Sequence, residues 1–303
     1  MMLNSKYIAH IVNNNINMAS VEDYEMRKEI FAEVDAFITM HNNTESSFKL
    51  GHNQFSTMTD EEKDRTRGLL EPQYLWAGEP VILSEEANGD SLDWRAEGAV
   101  NAIQNQGSCG SCWSFSTMAS VEGAHAIATG ELVKLAEQQL VDCATRFNNG
   151  CNGGSMAFAF TYLKSNDAVT EASYPYTAKD GTCYQDSAES SGVRTTGHTN
   201  VEQNSSSQLK AAVTQGVVSV AIQANRLVFQ SYSSGIFDST SCGTRLDHGV
   251  ALVGYGSEDG QDYWILRNSW GTTWGEEGYM RLADVDGEGI CGVNMAAVYP
   301  ATN

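Results

Sequence analysis

Long apolar runs are missing from this sequence. None of its 303 residues lies in a stretch approaching the roughly 20 uninterrupted apolar residues that a membrane-spanning helix requires, which excludes a helical span. The start, MMLNSKYIAHIVNNNINMAS, has only a short apolar patch broken at once by asparagines, so no secretory signal is expected in the chain as it stands. Basic residues are scarce, with 18 Lys and Arg against 38 Asp and Glu and a formal net charge of −20. Phosphates would be repelled by such a surface, so neither nucleic acid nor an anionic membrane is an expected partner. Internal repeats and long low-complexity tracts are also absent. Cysteine is absent from residues 1–87, while seven cysteines follow.

That asymmetry divides the chain. Residues 1–87 are rich in charge and show helical spacing in EDYEMRKEIFAEVDAFITMHN, where Met26, Ile30, Phe31, Val34, Phe37, Ile38 and His41 form one stripe. EPQYLWAGEPVILSEEANGD has little periodicity and reads as an exposed linker. Beyond it, SCWSFSTMASVEGAHAIATG predicts a helix with Phe115, Met118, Ala119 and Ala126 on one face and Gly130 as its stop. ELVKLAEQQLVDC and SMAFAFTYLKSN predict two more. From about residue 201 the period changes: VVSVAIQA, HGVALVGYG, DYWILRNSW, YMRLA and AAVYP are short runs separated by turn residues, the pattern of antiparallel strands. The expectation is an α+β chain with a helical module at 1–87, a mostly helical half at about 98–200 and a mostly β half at about 201–303.

Seven cysteines is an odd number. In an oxidising compartment one of Cys109, Cys112, Cys143, Cys151, Cys183, Cys242 and Cys291 stays unpaired, and a lone thiol among disulfides is a candidate nucleophile. In a reducing one, seven buried thiols would be structural. CGSC alone could be a redox pair, but no βαβ pattern surrounds it. A zinc site needs two more ligands at close spacing, and seven residues separate Cys143 from Cys151, so no metal is expected.

A nucleophilic cysteine needs a base, a group that orients the base, and donors for a developing oxyanion. His248, in LDHGVALVGYG, and Asn268, in WILRNSWGTTWGEEGY, lie at strand edges 136 and 156 residues beyond Cys112. A lone histidine is more commonly packed or exposed than catalytic, and NSW by itself is commonplace. CGSCW upstream of both, in the order and near the separation of about 130–150 residues found in papain-type enzymes, changes that balance. GYGSEDG lacks the helix that a nucleotide-binding loop requires and reads as a hairpin turn; Trp113 and Trp274 read as packing residues.

These motifs, with DWRAEGAVNAIQNQGSCGSCWSFS, EQQLVDC, GCNGG and NSWGTTWGEEGYMRL, resemble the papain family of cysteine proteases from about Asn88 to Asn303, and the whole chain resembles a cathepsin L-type zymogen. The family's proregion pattern is met by Asp23, Arg27, Phe31, Val34, Ile38 and Asn42, with Asp and Val in place of the usual Glu and Asn. Gly51, Asn53 and Phe55 match a second pattern in which Thr57 replaces the usual aspartate, which removes a carboxylate on which an acid trigger would rely.

The resemblance implies a papain-like two-lobed fold, with a helical lobe and an antiparallel, barrel-like β lobe, and an inhibitory propeptide at 1–87 before a peptidase domain at 88–303. It implies Cys112 as thiolate nucleophile, His248 as its imidazolium partner, Asn268 as the orienter of His248 under Trp270, and Gln106 as an oxyanion donor. Six further cysteines allow fifteen connectivities; the family's pairing implies Cys109–Cys151, Cys143–Cys183 and Cys242–Cys291. Substrate would lie along Gly153 and Gly154, with Ser155, Met156, Ala221, Leu246, Gly249 and Ala296 lining an apolar specificity pocket beside Asp247 and Trp270. Expected partners are protein and peptide substrates and the chain's own propeptide, which would run through the cleft opposite to a substrate although the two parts carry net charges of −8 and −12. The implied enzyme is an endopeptidase, monomeric, without cofactor, in a lysosome or vacuole or secreted. An inhibitor built on the N-terminal module, or a catalytically silent homologue, is the competing expectation. Asn204 and Asn42 head glycosylation-like triplets, the latter expected to serve the proregion fold.

Overall fold

The computed structural model of the chain describes residues 2–70, 79–84 and 89–301. The boundary expected between residues 87 and 88, and much of the expected linker, lie outside the described residues.

Two helices open the chain, α1 (Met2–Asn13) and α2 (Val21–Asn42). Ser20 caps α2 by accepting from the Asp23 amide, and Glu22 and Asp23 place negative charge on its first turn, where the helix dipole favours it. The predicted stripe is narrower than the sequence suggested. Phe31, Val34 and Ile38 are buried, but Met26 is 40% exposed, because α1 covers this end of the helix through Tyr7, whose ring meets Tyr24 and Phe31 instead. α1 itself has no counterpart in the sequence pattern: among its described side chains only Tyr7 and His10 are buried, too few to register as a period.

After α2 the chain forms β1 (Phe48–Leu50), a short capped turn at Asn53 and α3 (Asp60–Asp64). Asn42 donates to the Leu50 carbonyl at 2.8 Å and accepts from its amide at 3.0 Å, which ties α2 to β1 and accounts for this asparagine structurally. Arg27 gathers Asp23, Glu62 and the Thr57 carbonyl, so α2 holds the turn before α3. The linker is less free than expected, since β2 (Pro80–Val81) pairs parallel with β4 (Gly197–Val201) and Leu83 exchanges two hydrogen bonds with the Gln208 side chain. β3 (Leu92–Asp93) then lies on β7.

The helical lobe contains α4 (Cys112–Thr129), α5 (Glu137–Cys143) and α6 (Met156–Leu163). α4 is buried almost all round through its first twelve residues, and Gly130, at φ 78°, ends it in the left-handed conformation that a glycine adopts without strain. α5 is shorter than predicted. Lys134 binds Glu122 at 2.9 Å and Glu137 at 2.5 Å, and Leu135 bridges to Thr170, which holds ELVKLA extended until Glu137.

The β lobe comprises β4 (Gly197–Val201), α7 (Ser206–Gln215), β5 (Val218–Ile222), α8 (Leu227–Gln230), β6 (Tyr232–Phe237), β7 (His248–Glu258), β8 (Gln261–Arg267), β9 (Tyr279–Ala283) and β10 (Ala297–Ala301). Strand order is β1-β6-β9-β8-β7-β5-β10-β4-β2, with β3 on β7. The sheet is mixed rather than wholly antiparallel: β6 runs parallel to β9 and β2 parallel to β4. GYGSEDG forms the hairpin expected of it, with Asp259 and Gly260 at φ 53° and 82° between β7 and β8. Proregion and β lobe share one core, since Val34, Ile38, Phe48, Leu50 and Phe55 pack with Phe229, Phe237, Trp270 and Trp274.

Asn42→Ala should loosen the proregion selectively. Losing both bonds to Leu50 is expected to cost about 1–3 kcal/mol, read as faster amide hydrogen exchange in β1 with β7 and β8 unchanged.

Candidate active site

Three disulfides are present, Cys109–Cys151, Cys143–Cys183 and Cys242–Cys291, and Cys112 is the free thiol that remains. Of fifteen arithmetically possible pairings, the one implied by resemblance is the one observed. Cys109–Cys151 brings GCNGG beside the start of α4, and the Gly110 amide reinforces this by donating to the Cys151 carbonyl at 2.9 Å.

Cys112 is the first residue of α4, where backbone N–H groups have no partner within the helix. His248 opens β7 and is buried, with Nε2 2.8 Å from Asn268 Oδ1. The ring of Trp270 stacks on His248, centroids 4.6 Å apart, and shields that bond from solvent. A Cβ on Gly249, the next residue on β7, would stand 3.5 Å from the Cys112 carbonyl oxygen, so the start of α4 and the start of β7 lie against each other. Nδ1 of His248 is buried without a hydrogen-bond partner among the described residues. His248, Asn268 and Trp270 are thus in contact with one another, and the residue after His248 lies against Cys112.

Gln106 is wholly buried. Its Nε2 donates to the Cys109 carbonyl at 2.8 Å and to the Thr66 carbonyl at 3.0 Å, while its Oε1 accepts from Ser269 Oγ at 2.7 Å. Ser269, which fixes the orientation of this amide, was not singled out in the sequence. Its position inside NSW was the available signal.

The segment from Thr66 to Leu70 lies across these residues. The Thr66 carbonyl accepts from both Gln106 and the Trp270 indole. Gly154 donates to the Gly68 carbonyl at 2.9 Å and accepts from the Leu70 amide at 3.1 Å, a parallel pairing; the Leu69 amide reaches the Asp247 carbonyl. Gly68 is required by contact, because a Cβ there would stand 1.9 Å from the Gly110 carbonyl. Gly154 is required because its Cβ would meet the Trp113 ring at 2.4 Å. Leu69 packs against the buried cluster containing Met156, Ala221, Leu246 and Ala296. Ser155 is buried with its amide on Asn148, and a Cβ on Gly249 would approach Met156 Sδ to 3.1 Å. Gly153, at φ 117°, lies against Gly68.

Electrostatically the covered site is held neutral. Burial pushes the Cys112 thiol up to about 11, against backbone hydrogen bonds that favour the thiolate. Burial likewise pulls His248 down to about 3; the Asn268 bond opposes this and the Arg67 guanidinium adds to it. Asp247 is raised to about 6 by burial, only partly offset by the Ala224 amide and by Arg67, whose Nε is 3.3 Å away. No group of three or more metal-ligating side chains occurs among the described residues.

A free thiol at the start of a buried helix, packed against the strand that begins with a histidine held by an asparagine and covered by a tryptophan, defines a site of the cysteine-protease type. The chain belongs to the papain family of cysteine proteases, whose family profile matches residues 88–301, and residues 7–62 match the cathepsin propeptide inhibitor domain. It is 46% identical over 286 residues to a probable cysteine protease, RD21B, of Arabidopsis thaliana, covering 91% of this chain and 61% of that protein. It is 44% identical to the cysteine protease XCP2 of the same plant, covering 93% and 81%. The fold is that of a recombinant stem bromelain precursor (TM-score 0.92, 36% identity, 100% of both chains) and of digestive procathepsin L 3 from Tenebrio molitor larval midgut (TM-score 0.89, 37% identity, 99% of both). The papain-like architecture read from the sequence is therefore the architecture found.

With its thiol buried and raised, Cys112 of the intact chain should react with iodoacetamide at pH 7 at least about 10²-fold more slowly than free cysteine, whose pKa is about 8.5. Mass spectrometry of the alkylated chain reads this directly; comparable rates would contradict the covered geometry.

Proposed function

We propose that this chain is the zymogen of a cysteine endopeptidase that cuts extended peptides after a hydrophobic residue in the second position before the cut. The observation that carries this reading is the coverage of the single free thiol: Thr66 to Leu70 lie where a substrate would lie, over Cys112, His248 and Gln106. In the uncovered site, removal of burial and of Arg67 relieves the two influences that hold His248 neutral, and the helix start favours a thiolate. Cys112 Sγ then attacks the scissile carbonyl, its oxygen takes the negative charge between Gln106 Nε2 and the Cys112 amide, and the His248 imidazolium protonates the leaving amine. Water attacks the resulting thioester with His248 as base, releasing the acid and restoring Cys112. Asn268 keeps the ring turned throughout.

Polarity supports inhibition by a chain laid in reverse. Thr66 meets the oxyanion donor, and the residues that follow it run along Gly154, where the residues that precede the cut would sit in a substrate. Leu69, packed against the cluster of Met156, Ala221, Leu246 and Ala296, supports a preference for an apolar side chain at this surface. Further parts of the proposal are a propeptide of residues 1–87, a peptidase domain of 88–303, a monomer using neither cofactor nor metal, and residence in an acidic vacuole or lysosome or outside the cell. Among the described residues no helix is long and apolar enough to cross a membrane.

After processing, the chain should hydrolyse peptides carrying Leu, Phe or Val at the second position before the cut at about pH 5, and Cys112→Ala should abolish this. A processed wild-type chain without hydrolysis would favour the silent-homologue or inhibitor reading. Ala296→Glu should shift the preference toward Arg at that position by placing a carboxylate in the apolar pocket, measured with a peptide library.

Acid should loosen the proregion through His10. Burial holds His10 at about 4, below its ordinary 6.5, with the neighbouring His52 ring adding to the effect. Between these values the opened proregion binds the extra proton, so this contribution is complete above pH 6.5 and is lost as pH falls toward 4. Asp247, raised to about 6 by burial in the intact chain, acts in the opposite sense. His10→Phe, which keeps a ring against Phe31, should flatten the pH dependence of zymogen melting between 6.5 and 4; an unchanged profile would remove His10 from the account.

A further inference from the structure

Tyr176 stands behind the candidate oxyanion site and is used by nothing described so far. Its hydroxyl donates to the Gln106 main-chain carbonyl at 2.8 Å. It also lies 2.6 Å from Ser111 Oγ. Because the phenolic proton is committed to Gln106, the Ser111 hydroxyl is the donor in the second bond, and a single relay runs from Ser111 through Tyr176 to Gln106. Ser111 precedes Cys112 and occupies the cap position of α4, yet its side chain makes no helix-cap bond. That hydroxyl would ordinarily be given to the amides of the first turn. Here it points away, to the phenol, and both Ser111 and Gln106 are wholly buried.

The two residues joined by the phenol carry the two donors of the proposed oxyanion site. Gln106 supplies a side-chain N–H, and the peptide joining Ser111 to Cys112 supplies the backbone N–H. The chain between them turns through Gly107, at φ 61°, and through Gly110. Cys109–Cys151 and the Gly110–Cys151 bond anchor the middle of this loop, whereas Tyr176 joins its two ends. Tyr176 is itself held from three sides: Phe115 on α4 meets its ring edge-on at 4.8 Å, its amide donates to Glu171 at 2.9 Å, and the Thr177 amide next to it donates to Gln138 Oε1. Burial raises the phenol's pKa, so the donor is present throughout the working range of pH.

We infer that Tyr176 is a positioning residue that sets the separation of the two oxyanion donors, and so acts on the transition state without touching substrate. The inference rests on the assignment of Gln106 and the Cys112 amide as those donors. Donor positions matter at the ångström level, because the charge on the oxygen develops only in the transition state. Loosening the loop should therefore lower kcat while leaving substrate affinity and thiol reactivity in place.

The test compares Tyr176→Phe, Ser111→Ala and Gln106→Ala with wild type, each produced as the full chain, processed, and normalised to titrated thiol. Tyr176→Phe should lower kcat by about 10- to 10²-fold with KM changed less than about threefold. It should weaken binding of a peptide aldehyde, which forms a tetrahedral adduct with the thiol, by a similar factor. Alkylation of Cys112 by iodoacetamide, which develops no oxyanion, should stay within about twofold of wild type. Ser111→Ala should change the same quantities in the same direction, and it carries the test if Tyr176→Phe does not fold. An unchanged kcat in Tyr176→Phe, or equal losses in kcat and alkylation, would overturn the inference. If Gln106→Ala also leaves kcat unchanged, the oxyanion assignment itself has failed; if Gln106→Ala loses activity and Tyr176→Phe does not, only the role of Tyr176 is wrong.

Discussion

One carbonyl organises this molecule. The oxygen of Thr66 accepts from Gln106 and from the Trp270 indole, and those two donors belong to the two sides of the cleft. A chain pinned at that point must leave along Gly154, and the close approach of Gly68 to Gly110 leaves no room for a side chain on the way. The same seating lays Gly68 and Arg67 beside the thiol and histidine whose neutral forms burial favours. The like net charges of the two parts do not prevent it, because main-chain bonds and apolar burial act at contact range while the repulsion is between charges spread over the surface and screened by salt.

Much of the site was legible because its chemistry constrains residue type and order together. Cys112, His248, Asn268 and Gln106 each sit in a local motif, and the fold brings those motifs to one place. What stayed hidden depends on contacts made at a distance. Ser269 acts through a hydroxyl bond to a partner 163 residues away and Tyr176 through hydroxyl bonds to partners 70 and 65 residues away, which leave no period or local pattern. The reason for Gly154 was likewise unreadable, since the obstacle is a tryptophan 41 positions earlier in the chain.

Secondary structure divides along the same line. Strands flanked by turn residues, such as β7 and β8, were placed well, as was α4 with its terminal glycine. α5 was drawn too long because ELVKLA has helical spacing, and only the ion pairs of Lys134 with Glu122 and Glu137 show why it stays extended. α1, β1, β4 and β6 were missed. They are short or sparsely buried, and their partners lie far along the chain.

The anchoring of Leu83 on α7 and of Leu92 on β7 bears on how the molecule would come apart. Breaking the peptide chain between these anchors severs none of the aromatic packing that joins Phe48 and Phe55 to Phe237 and Trp270. The nicked product is then a two-chain complex, still blocked, and its lifetime is governed by a dissociation rate. Scission and the onset of turnover become two events with separate clocks, the second being the parting of two surfaces that once formed a single interior.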